Sequence, residues 1–262
     1  MTWWAVLLLA WAVAAGLQFG LWLWQRRTGS ATAVDAGWAG SLVLIAILYA
    51  ILGQGQLEHR LLIATTVSLA MGRLTYLVAK RVGGEEDKRY QELRRRWREK
   101  GREQETFFVF YQAQALVAVL LSVPFLAAAY NDHDGLEWLE WVGLGVWLVG
   151  ASLEAVSDHQ MSAFRRDPAN KGQVIDVGLW RYSRHPNYFG QWLTWCGYAL
   201  IGLAASWGWI GLLAPALMLY LIFRVTGVPP MEQAMLESRG DAYRAYQRRT
   251  SVFVPLPPKD AT

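Results

Sequence analysis

Long apolar runs alternate with polar connections along most of this chain. Each run is roughly 20 residues long, which is the length that an α-helix needs to cross the hydrocarbon core of a bilayer. Seven spans are predicted, at residues 3–24, 37–53, 61–79, 107–130, 138–157, 188–205 and 207–225. The pattern therefore predicts an all-α integral membrane protein whose residues 1–262 form a single membrane domain.

Lys and Arg residues concentrate on alternate connections between the predicted spans. The 80–106 connection carries ten of them and the 158–187 connection five, whereas the 54–60 turn carries one and the 131–134 turn none. Because loops on the cytoplasmic side are enriched in Lys and Arg, we expect the N-terminus outside and the C-terminus in the cytoplasm. Cytosolic loops 80–106 and 158–187 and the tail 226–262 would then lie on one side.

The polar connections carry helix signals of their own. Acidic residues at 85–87 precede the basic part of the 80–106 loop, an order that complements the dipole of a helix. Gly227-Val-Pro-Pro230 is expected to end the last span, before a polar helix at about 231–248 and an extended segment at 253–258. The first span has no preceding cationic segment, so we expect it to be retained and not cleaved as a signal peptide.

Composition excludes several classes of function. The chain is 54% hydrophobic, and its basic residues flank the spans instead of forming a soluble face, so no nucleic-acid partner is expected. The single cysteine, Cys196, rules out a disulfide framework. The histidines are too far apart for a metal site, and neither a dinucleotide-binding G-x-G-x-x-G motif nor a P-loop is present.

One short stretch contains more polar side chains than are needed to anchor a helix where it enters a membrane. It reads Gly178-Leu-Trp-Arg-Tyr-Ser-Arg-His-Pro-Asn-Tyr-Phe-Gly190, and an apolar run follows it. Pro186 is predicted to start a helix, and helix N-termini attract anions. Arg181, Arg184 and His185 supply cationic donors that suit phosphate or carboxylate. The stretch therefore predicts an anion site; the alternative is an interfacial collar of cationic and aromatic residues.

Strongly polar residues within the predicted spans or next to their ends lie toward the predicted cytoplasmic side. They are Asp35, Arg73, Tyr76, Gln112, Gln114, Glu154, Asp158, Asn187 and Arg224. Charges in a membrane are costly and usually functional, so this segregation predicts a polar cavity that opens to the cytosol and binds a large anionic ligand. Arg73 and Arg224 could instead extend to the interface. Glu58 and His59 fall on the opposite side and are excluded from the site.

The chain also contains a set of short motifs: Asp35-Ala-Gly-Trp38, Asp87-Lys-Arg-Tyr90, Glu154-x-x-x-Asp158 followed by Phe164-Arg165, the 178–190 stretch, Trp195-Cys-Gly-Tyr198, and Tyr243-Arg-Ala-Tyr246 ahead of Phe253-Val-Pro255. Over most of its length the chain thereby resembles the bacterial membrane branch of the steroid 5α-reductase family. The resemblance implies seven membrane helices in a bacterial inner membrane and NADPH taken from the cytosol. It also implies reduction of the 4,5 double bond of a 3-oxo-4-ene steroid, or a similar lipid enone, that enters from the bilayer.

Site residues follow from the resemblance position by position. The implied cofactor contacts are Glu154, Asp158, Arg165, Lys171, Tyr182, Arg184, His185, Asn187, Gln191, Arg224 and Glu232. The family has a glutamate where this chain has Gln191, so the implied cofactor contact at this position is uncharged. Asp35 matches the family's catalytic glutamate and Arg73 a family arginine. The family's catalytic tyrosine is replaced by Ala70, so Tyr76, one turn after Arg73, is the available phenol.

Conjugate reduction is the function expected from these residues, with Asp35, Tyr76 and Arg73 as the catalytic set. Hydride from NADPH would reach the β-carbon of an enone whose carbonyl accepts a hydrogen bond from a protonated Asp35. Asp35 has an alternative role as the N-cap of the second span. We expect the protein to act as a monomer.

Two other functions remain open. The 178–190 stretch and the Tyr-x-x-Tyr tail also suit a membrane methyltransferase of the isoprenylcysteine or phospholipid type that uses S-adenosylmethionine. That branch has a Glu-Glu pair after the last span, whereas Met231-Glu-Gln233 contains a single glutamate. The third possibility is a non-enzymatic scaffold that handles a sterol or haem, which the layer of polar residues disfavours.

Overall fold

The computed structural model describes residues 1–259, and all regular secondary structure in this part of the chain is helical. The α-helices are α1 (Trp3–Thr28), α2 (Ala33–Leu52), α3 (Leu57–Ala79), α4 (Lys88–Glu99), α5 (Glu103–Leu121), α6 (Val123–Ala129), α7 (Trp138–Arg166), α8 (Pro186–Leu203), α9 (Leu213–Arg224), α10 (Val228–Arg239) and α11 (Asp241–Arg249). Short 3₁₀ helices occupy Pro168–Asn170, Gly178–Arg181 and Gly208–Leu212. The all-α prediction is confirmed.

Six helical segments of the described chain are long and apolar enough to cross a membrane. They are Trp3–Thr28, Ala33–Leu52, Leu57–Ala79, Glu103–Leu121, Trp138–Arg166 and Gly208–Arg239. The protein is therefore a multi-pass integral membrane protein. The predicted span at 188–205 is helical as α8 but is not among these six, because its first half carries polar residues such as Asn187 and Gln191. A seventh span and the outside position of the N-terminus stay predictions.

The predicted span at 107–130 is not one helix. Helix α5 ends at Leu121 and α6 begins at Val123, with Ser122 between them. Pro124 explains the break, since a proline has no N–H for the helix ladder and its ring clashes with the preceding turn. Ser122 uses its side chain at this break, where its Oγ lies 3.0 Å from the Tyr49 hydroxyl and donates to the Val119 carbonyl.

Two further boundaries differ from the prediction. Helix α7 continues to Arg166, nine residues past the predicted end at 157, so the first part of the predicted 158–187 loop is helical. Its last turns are polar, but they have good helix formers and a basic end that suits the helix dipole. The predicted polar helix at 231–248 is two helices, α10 and α11, because Gly240 between them has a positive φ of 51°.

The chain forms two compact units. The first consists of Met1–Glu140 with Ile201–Gly211, and the second of Trp141–Leu200 with the chain from Leu212 onward. In the first unit α2 packs against α1, α3, α5 and α6. Its buried face carries Leu42, Ile45 and Tyr49, which supply the apolar core of that unit.

Glycines let α7 and α8 approach closely within the second unit. A Cβ atom on Gly150 would lie 2.6 Å from the Thr194 backbone nitrogen, and one on Gly190 would lie 2.6 Å from the Glu154 backbone nitrogen. Both distances are shorter than van der Waals contact, so only glycine fits at either position. Small residues at helix interfaces allow this kind of backbone approach in membrane proteins. The contact sets the relative height of α7 and α8.

A buried histidine and glutamate join two helix starts in the first unit. His59 on α3 and Glu140 on α7 are both fully buried, and the His59 Nδ1 lies 2.6 Å from the Glu140 Oε1. The His59 Nε2 lies 2.9 Å from the His133 carbonyl oxygen, and the Glu140 Oε2 accepts from the Glu137 backbone N–H. A carbonyl oxygen cannot donate, so Nε2 carries a proton, and a second proton lies between Nδ1 and Oε1.

Gly150→Ala should destabilise the protein by about 1–3 kcal/mol, because the added methyl overpacks a backbone contact. The matched control is Gly145→Ala on the same helix, where a Cβ meets no atom within 4 Å and the lower entropy of the unfolded chain favours alanine. Thermal unfolding in detergent measures both variants. Equal melting temperatures for the two variants would contradict the close approach.

Glu140→Gln should be tolerated and Glu140→Ala should not. A glutamine can donate from its amide nitrogen to the Nδ1 of neutral His59 and still accept from the Glu137 N–H, so every buried group keeps a partner. Alanine leaves the His59 Nδ1 and the Glu137 N–H unpaired, at a cost of about 3 kcal/mol. The melting temperature of each variant gives the answer, and a similar loss for both would show that the glutamate charge itself is required.

Candidate functional site

Asp35 lies in the first turn of α2 and accepts hydrogen bonds at both carboxylate oxygens. The Tyr90 hydroxyl donates to Oδ1 at 2.6 Å, and the Arg89 Nη2 donates to Oδ2 at 3.2 Å. Helix α2 begins at Ala33, with Thr32 as its N-cap, so the alternative role of Asp35 as an N-cap is wrong. The side chain of Asp35 stays one-third exposed, so a ligand can approach the carboxyl group.

Helix α4 positions both partners of Asp35. The Asp87 carboxylate caps α4 by accepting from the Arg89 backbone N–H at 2.9 Å, as the acidic start of this segment predicted. Although burial opposes the charge, the Arg89 bonds hold the pKa of Asp87 below its usual value. Burial and the nearby Asp35 charge raise the pKa of the Tyr90 phenol well above its usual value, so Tyr90 keeps its proton as a donor.

The apolar face of α4 is held against other helices of the first unit. Tyr90 forms a buried cluster with Ala31, Val34, Phe107 and Tyr111, and Leu93, Trp97 and Phe110 pack at its edge. Arg94 adds two ion pairs, at 2.9 Å to Glu86 and 2.6 Å to Glu103. Glu86 in turn accepts from the Ala31 backbone N–H just ahead of α2. The α4 segment is therefore anchored beside Asp35 at several points.

Tyr76 and Arg73, the other residues of the expected catalytic set, lie near the end of α3. The Tyr76 side chain is 60% exposed, and the Lys80 ammonium lies 4.2 Å from the centre of its ring. The Tyr76 hydroxyl makes no hydrogen bond to Asp35 within the described residues. Arg73 is partly buried. The phenol that contacts Asp35 is that of Tyr90.

In the second unit, the close approach of α7 and α8 brings two expected cofactor residues together. Pro186 is the first residue of α8, as expected, and Asn187 follows it. The Asn187 Nδ2 lies 3.5 Å from the Asp158 Oδ1, which marks a long hydrogen bond. Glu154 lies one turn before Asp158 on α7 and is buried. Asp158 and Arg165 are helical residues, not the loop residues that the predicted boundary implied.

Arg184 is at the centre of a second group. Its Nε donates to the Glu232 Oε1 at 2.6 Å, and its Nη1 donates to the Gln247 and Thr250 carbonyls at 3.1 and 2.7 Å. The His185 Nε2 lies 3.3 Å from the same glutamate oxygen. Three expected cofactor residues thus share one network, in which Arg184 also bonds to the C-terminal end of α11.

The other expected cofactor residues are dispersed in the second unit. Tyr182 is 43% exposed, and its carbonyl accepts from the Leu256 backbone N–H at 3.0 Å. Gln191 is partly buried on α8, and Arg224 is exposed at the last residue of α9. The structure does not connect these three side chains to the Arg184 network by hydrogen bonds.

A cavity of about 390 Å³ opens at the end of α7. Its wall includes Arg165 and Lys171, both expected cofactor residues, together with Arg166 and Arg239. The other lining residues are Met161, Phe164, Asp167, Pro168, Asn170, Gly172, Gln173, Ile175 and Met235. Four cations and one carboxylate therefore surround this space, and no cluster of metal-ligating side chains is found within residues 1–259.

Sequence reasoning missed three features of these sites. Tyr90 lies in the Asp87-Lys-Arg-Tyr90 motif, but the motif does not show that its hydroxyl donates to Asp35, which is 55 positions earlier. Glu140 was overlooked because it directly follows the start of an apolar span. Arg166 and Arg239 were counted only as loop and tail charges, although the basic ends of α7 and α10 could have indicated them.

Comparisons with known proteins place these features in context. A family model described as "Protein of unknown function (DUF1295)" matches residues 21–250. Human 3-oxo-5-alpha-steroid 4-dehydrogenase 1 is 36% identical over 91 residues, which cover 32% of this chain and 33% of that protein. Steroid 5-alpha-reductase DET2 of Arabidopsis thaliana is 28% identical over 86 residues, or 31% of each chain.

A longer match is found with a protein that has no described activity. Uncharacterized protein C594.04c of Schizosaccharomyces pombe is 25% identical over 277 residues, which cover 93% of this chain and 77% of that protein. The chain spans about a third of the length of the human enzyme that it matches. No solved structure matches the chain.

Arg184→Lys should loosen the C-terminal tail even without any ligand. A lysine can replace one of the three hydrogen bonds of Arg184, so the Glu232 carboxylate or two buried carbonyls lose their donor, at about 2 kcal/mol. Faster chymotryptic cleavage within 241–253 and a lower melting temperature are the expected results. Arg244→Lys is the control, since Arg244 pairs only with the exposed Asp241. Unchanged cleavage in Arg184→Lys would limit this arginine to a ligand-binding role.

Proposed function

The chain belongs to the DUF1295 family and is related to the steroid 5α-reductases, and from this premise we propose that it is a membrane-embedded NADPH-dependent reductase of a lipid enone. The expected substrate class is a 3-oxo-4-ene steroid or a lipid with the same conjugated carbonyl. The observation that carries the proposal is the Asp35 carboxyl, which Tyr90 holds by a hydrogen bond and which stays one-third exposed.

Asp35 would act on the substrate carbonyl through Oδ2. Tyr90 donates to Oδ1 and thereby restricts the orientation of the carboxyl group, while Oδ2 accepts from Arg89. A protonated Oδ2 can donate to the carbonyl oxygen, and this hydrogen bond strengthens as negative charge develops there. One such donor is typically worth about 3–4 kcal/mol of transition-state stabilisation.

Protonation of Asp35 does not leave Arg89 without a partner. The Arg89 Nη2 and Nε also donate to Asp87, at 3.0 and 3.1 Å, and these distances are shorter than the 3.2 Å to Asp35. Arg89 can therefore stay paired with Asp87 while Asp35 carries a proton.

The second unit offers groups that fit a phosphorylated dinucleotide. Cationic side chains line the cavity at the end of α7, and the N-terminal turn of α8 adds backbone donors next to Asn187. NADPH supplies the hydride when it is bound, and the side chains of this chain bind and orient it. Asp158 and Asn187 are the residues that we expect to hold polar groups of the cofactor other than its phosphates.

The membrane helices suit an apolar substrate. Exposed leucine, valine and tryptophan side chains cover the surfaces of α1, α5 and α7, which are the faces that hydrocarbon would contact. A flat, largely apolar enone dissolved in the bilayer could then reach Asp35 without crossing water. The methyltransferase alternative is not favoured, since Glu232 has no second glutamate beside it and is already bound to Arg184.

The reductase proposal is tested with the purified protein in detergent, NADPH and testosterone or progesterone. Mass spectrometry should detect a product two mass units heavier than the steroid. Asp35→Asn should lower kcat by about 100-fold or more, because an amide is a weaker donor and cannot transfer a proton. Tyr90→Phe should lower kcat by a smaller factor, and Asn187→Ala should abolish turnover through loss of cofactor binding.

Two control variants separate catalysis from anchoring. Asp87→Ala removes the cap and the other partner of Arg89 but leaves the Tyr90–Asp35 bond, so turnover should fall less than in Asp35→Asn. Tyr76→Phe tests the exposed phenol on α3. Full activity in Asp35→Asn together with a large loss in Tyr76→Phe would transfer the acid role to Tyr76. No reduction, with a melting shift by S-adenosylmethionine and none by NADPH, would favour the methyltransferase.

A further inference from the structure

The cavity at the end of α7 contains cations that no carboxylate neutralises. Arg166 and Lys171 form no ion pair with any residue of the described chain, and Arg239 donates only to backbone carbonyls, those of Gln173 and Ser238. The one acid in the wall, Asp167, uses its Oδ1 to accept from the Ala169 backbone N–H. The cavity therefore carries an excess of positive charge.

The arginines of α4, in contrast, form ion pairs. On α4, Arg94 pairs with Glu86 and Glu103, and Arg95 and Arg96 pair with Glu92. Although α4 is rich in basic residues, each of its arginines pairs with a carboxylate. Like charges that converge without a counter-ion repel each other, so an external anion would be stabilised in the cavity.

The anion must be recognised by side chains and not by a helix dipole. Arg165 and Arg166 occupy the last turn of α7, and the C-terminal end of a helix repels anions. A guanidinium offers donors in a fork that matches a phosphate, and a terminal phosphate monoester carries about two negative charges. Three unpaired cations suit such a dianion better than they suit a single carboxylate.

The remaining wall of the cavity is apolar. Met161, Phe164, Ile175 and Met235 lie among the lining residues, and Ile175 is buried. A volume of about 390 Å³ is within the usual range of a small-molecule pocket. An apolar surface next to a cationic rim is what a nucleoside with a phosphate on its sugar requires.

We propose that this cavity binds the adenosine 2′-phosphate end of NADPH, and that Arg166, Lys171 and Arg239 select NADPH over NADH. The inference rests on the proposed function, since it assigns one part of the expected cofactor to one place. NADH has a hydroxyl where NADPH has this phosphate, so the three cations distinguish the two dinucleotides by charge. Arg165 also lines this cavity, but the selection of NADPH over NADH does not require it.

A binding experiment tests the assignment without catalysis. Calorimetry on the detergent-purified protein compares 2′,5′-ADP, 5′-AMP and inorganic phosphate. The protein should bind 2′,5′-ADP and should bind 5′-AMP at least tenfold more weakly. Lys171→Gln and Arg239→Gln should each weaken 2′,5′-ADP binding about tenfold, because each removes one charge-assisted contact. Lys171 is exposed and makes no side-chain hydrogen bond in the described chain, so its substitution should not affect folding.

Arg248→Gln is the matched control, because Arg248 is an exposed cation on α11 outside the cavity wall and should leave 2′,5′-ADP binding unchanged. Equal affinity for 2′,5′-ADP and 5′-AMP, equal affinity for inorganic phosphate, or equal losses in the control and the cavity variants would each overturn the inference.

The reductase assay separates this inference from the proposed function. With the enone, the ratio of kcat/KM for NADPH to that for NADH should fall about 100-fold in the Lys171→Gln, Arg239→Gln double variant. Enone reduction with an unchanged ratio would overturn the cavity assignment and leave the reductase intact. Absence of both reduction and nucleotide binding would overturn the proposed function itself.

Discussion

A charged side chain among apolar helices needs a partner inside the protein, since desolvation of an unpaired charge costs several kcal/mol. Three of the contacts described above meet this constraint. His59 meets Glu140, Asp35 meets Tyr90 and Arg89, and Arg184 meets Glu232. In each case the partner comes from a different helix or from a segment far along the chain, so the polar bonds connect elements that apolar packing alone would leave free to slide.

The cavity at the end of α7 departs from this pattern. The basic helix α4 has a glutamate for nearly every arginine that it presents, whereas the wall of the α7 cavity does not. By the number of Lys and Arg residues alone, the 80–106 connection, which contains α4, would be the better candidate for an anion site. Net charge in a loop thus says little about ligand binding until the pairing of each side chain is known.

Much of the fold could be predicted from the sequence because apolar runs of sufficient length specify helices by themselves. The boundaries that failed depend on local chemistry, such as Pro124 within an apolar run and Gly240 within a polar one. Asp35 and Asn187 could be identified as site candidates, since a polar residue beside an apolar run is conspicuous. Tyr90 could not, because the bond to Asp35 depends on how α4 packs, and no periodicity reports a contact between distant residues.

The Arg184 network also has a consequence for biogenesis. The groups that bond to Arg184 lie 48, 63 and 66 residues after it in the chain. When α8 has just been synthesised, the segment before it contains an arginine whose acceptors are not yet part of the chain. The 178–185 segment can reach its final conformation only after α11 is complete. Synthesis of α8 and maturation of this segment are therefore separate events in time, and water can solvate Arg184 in the interval.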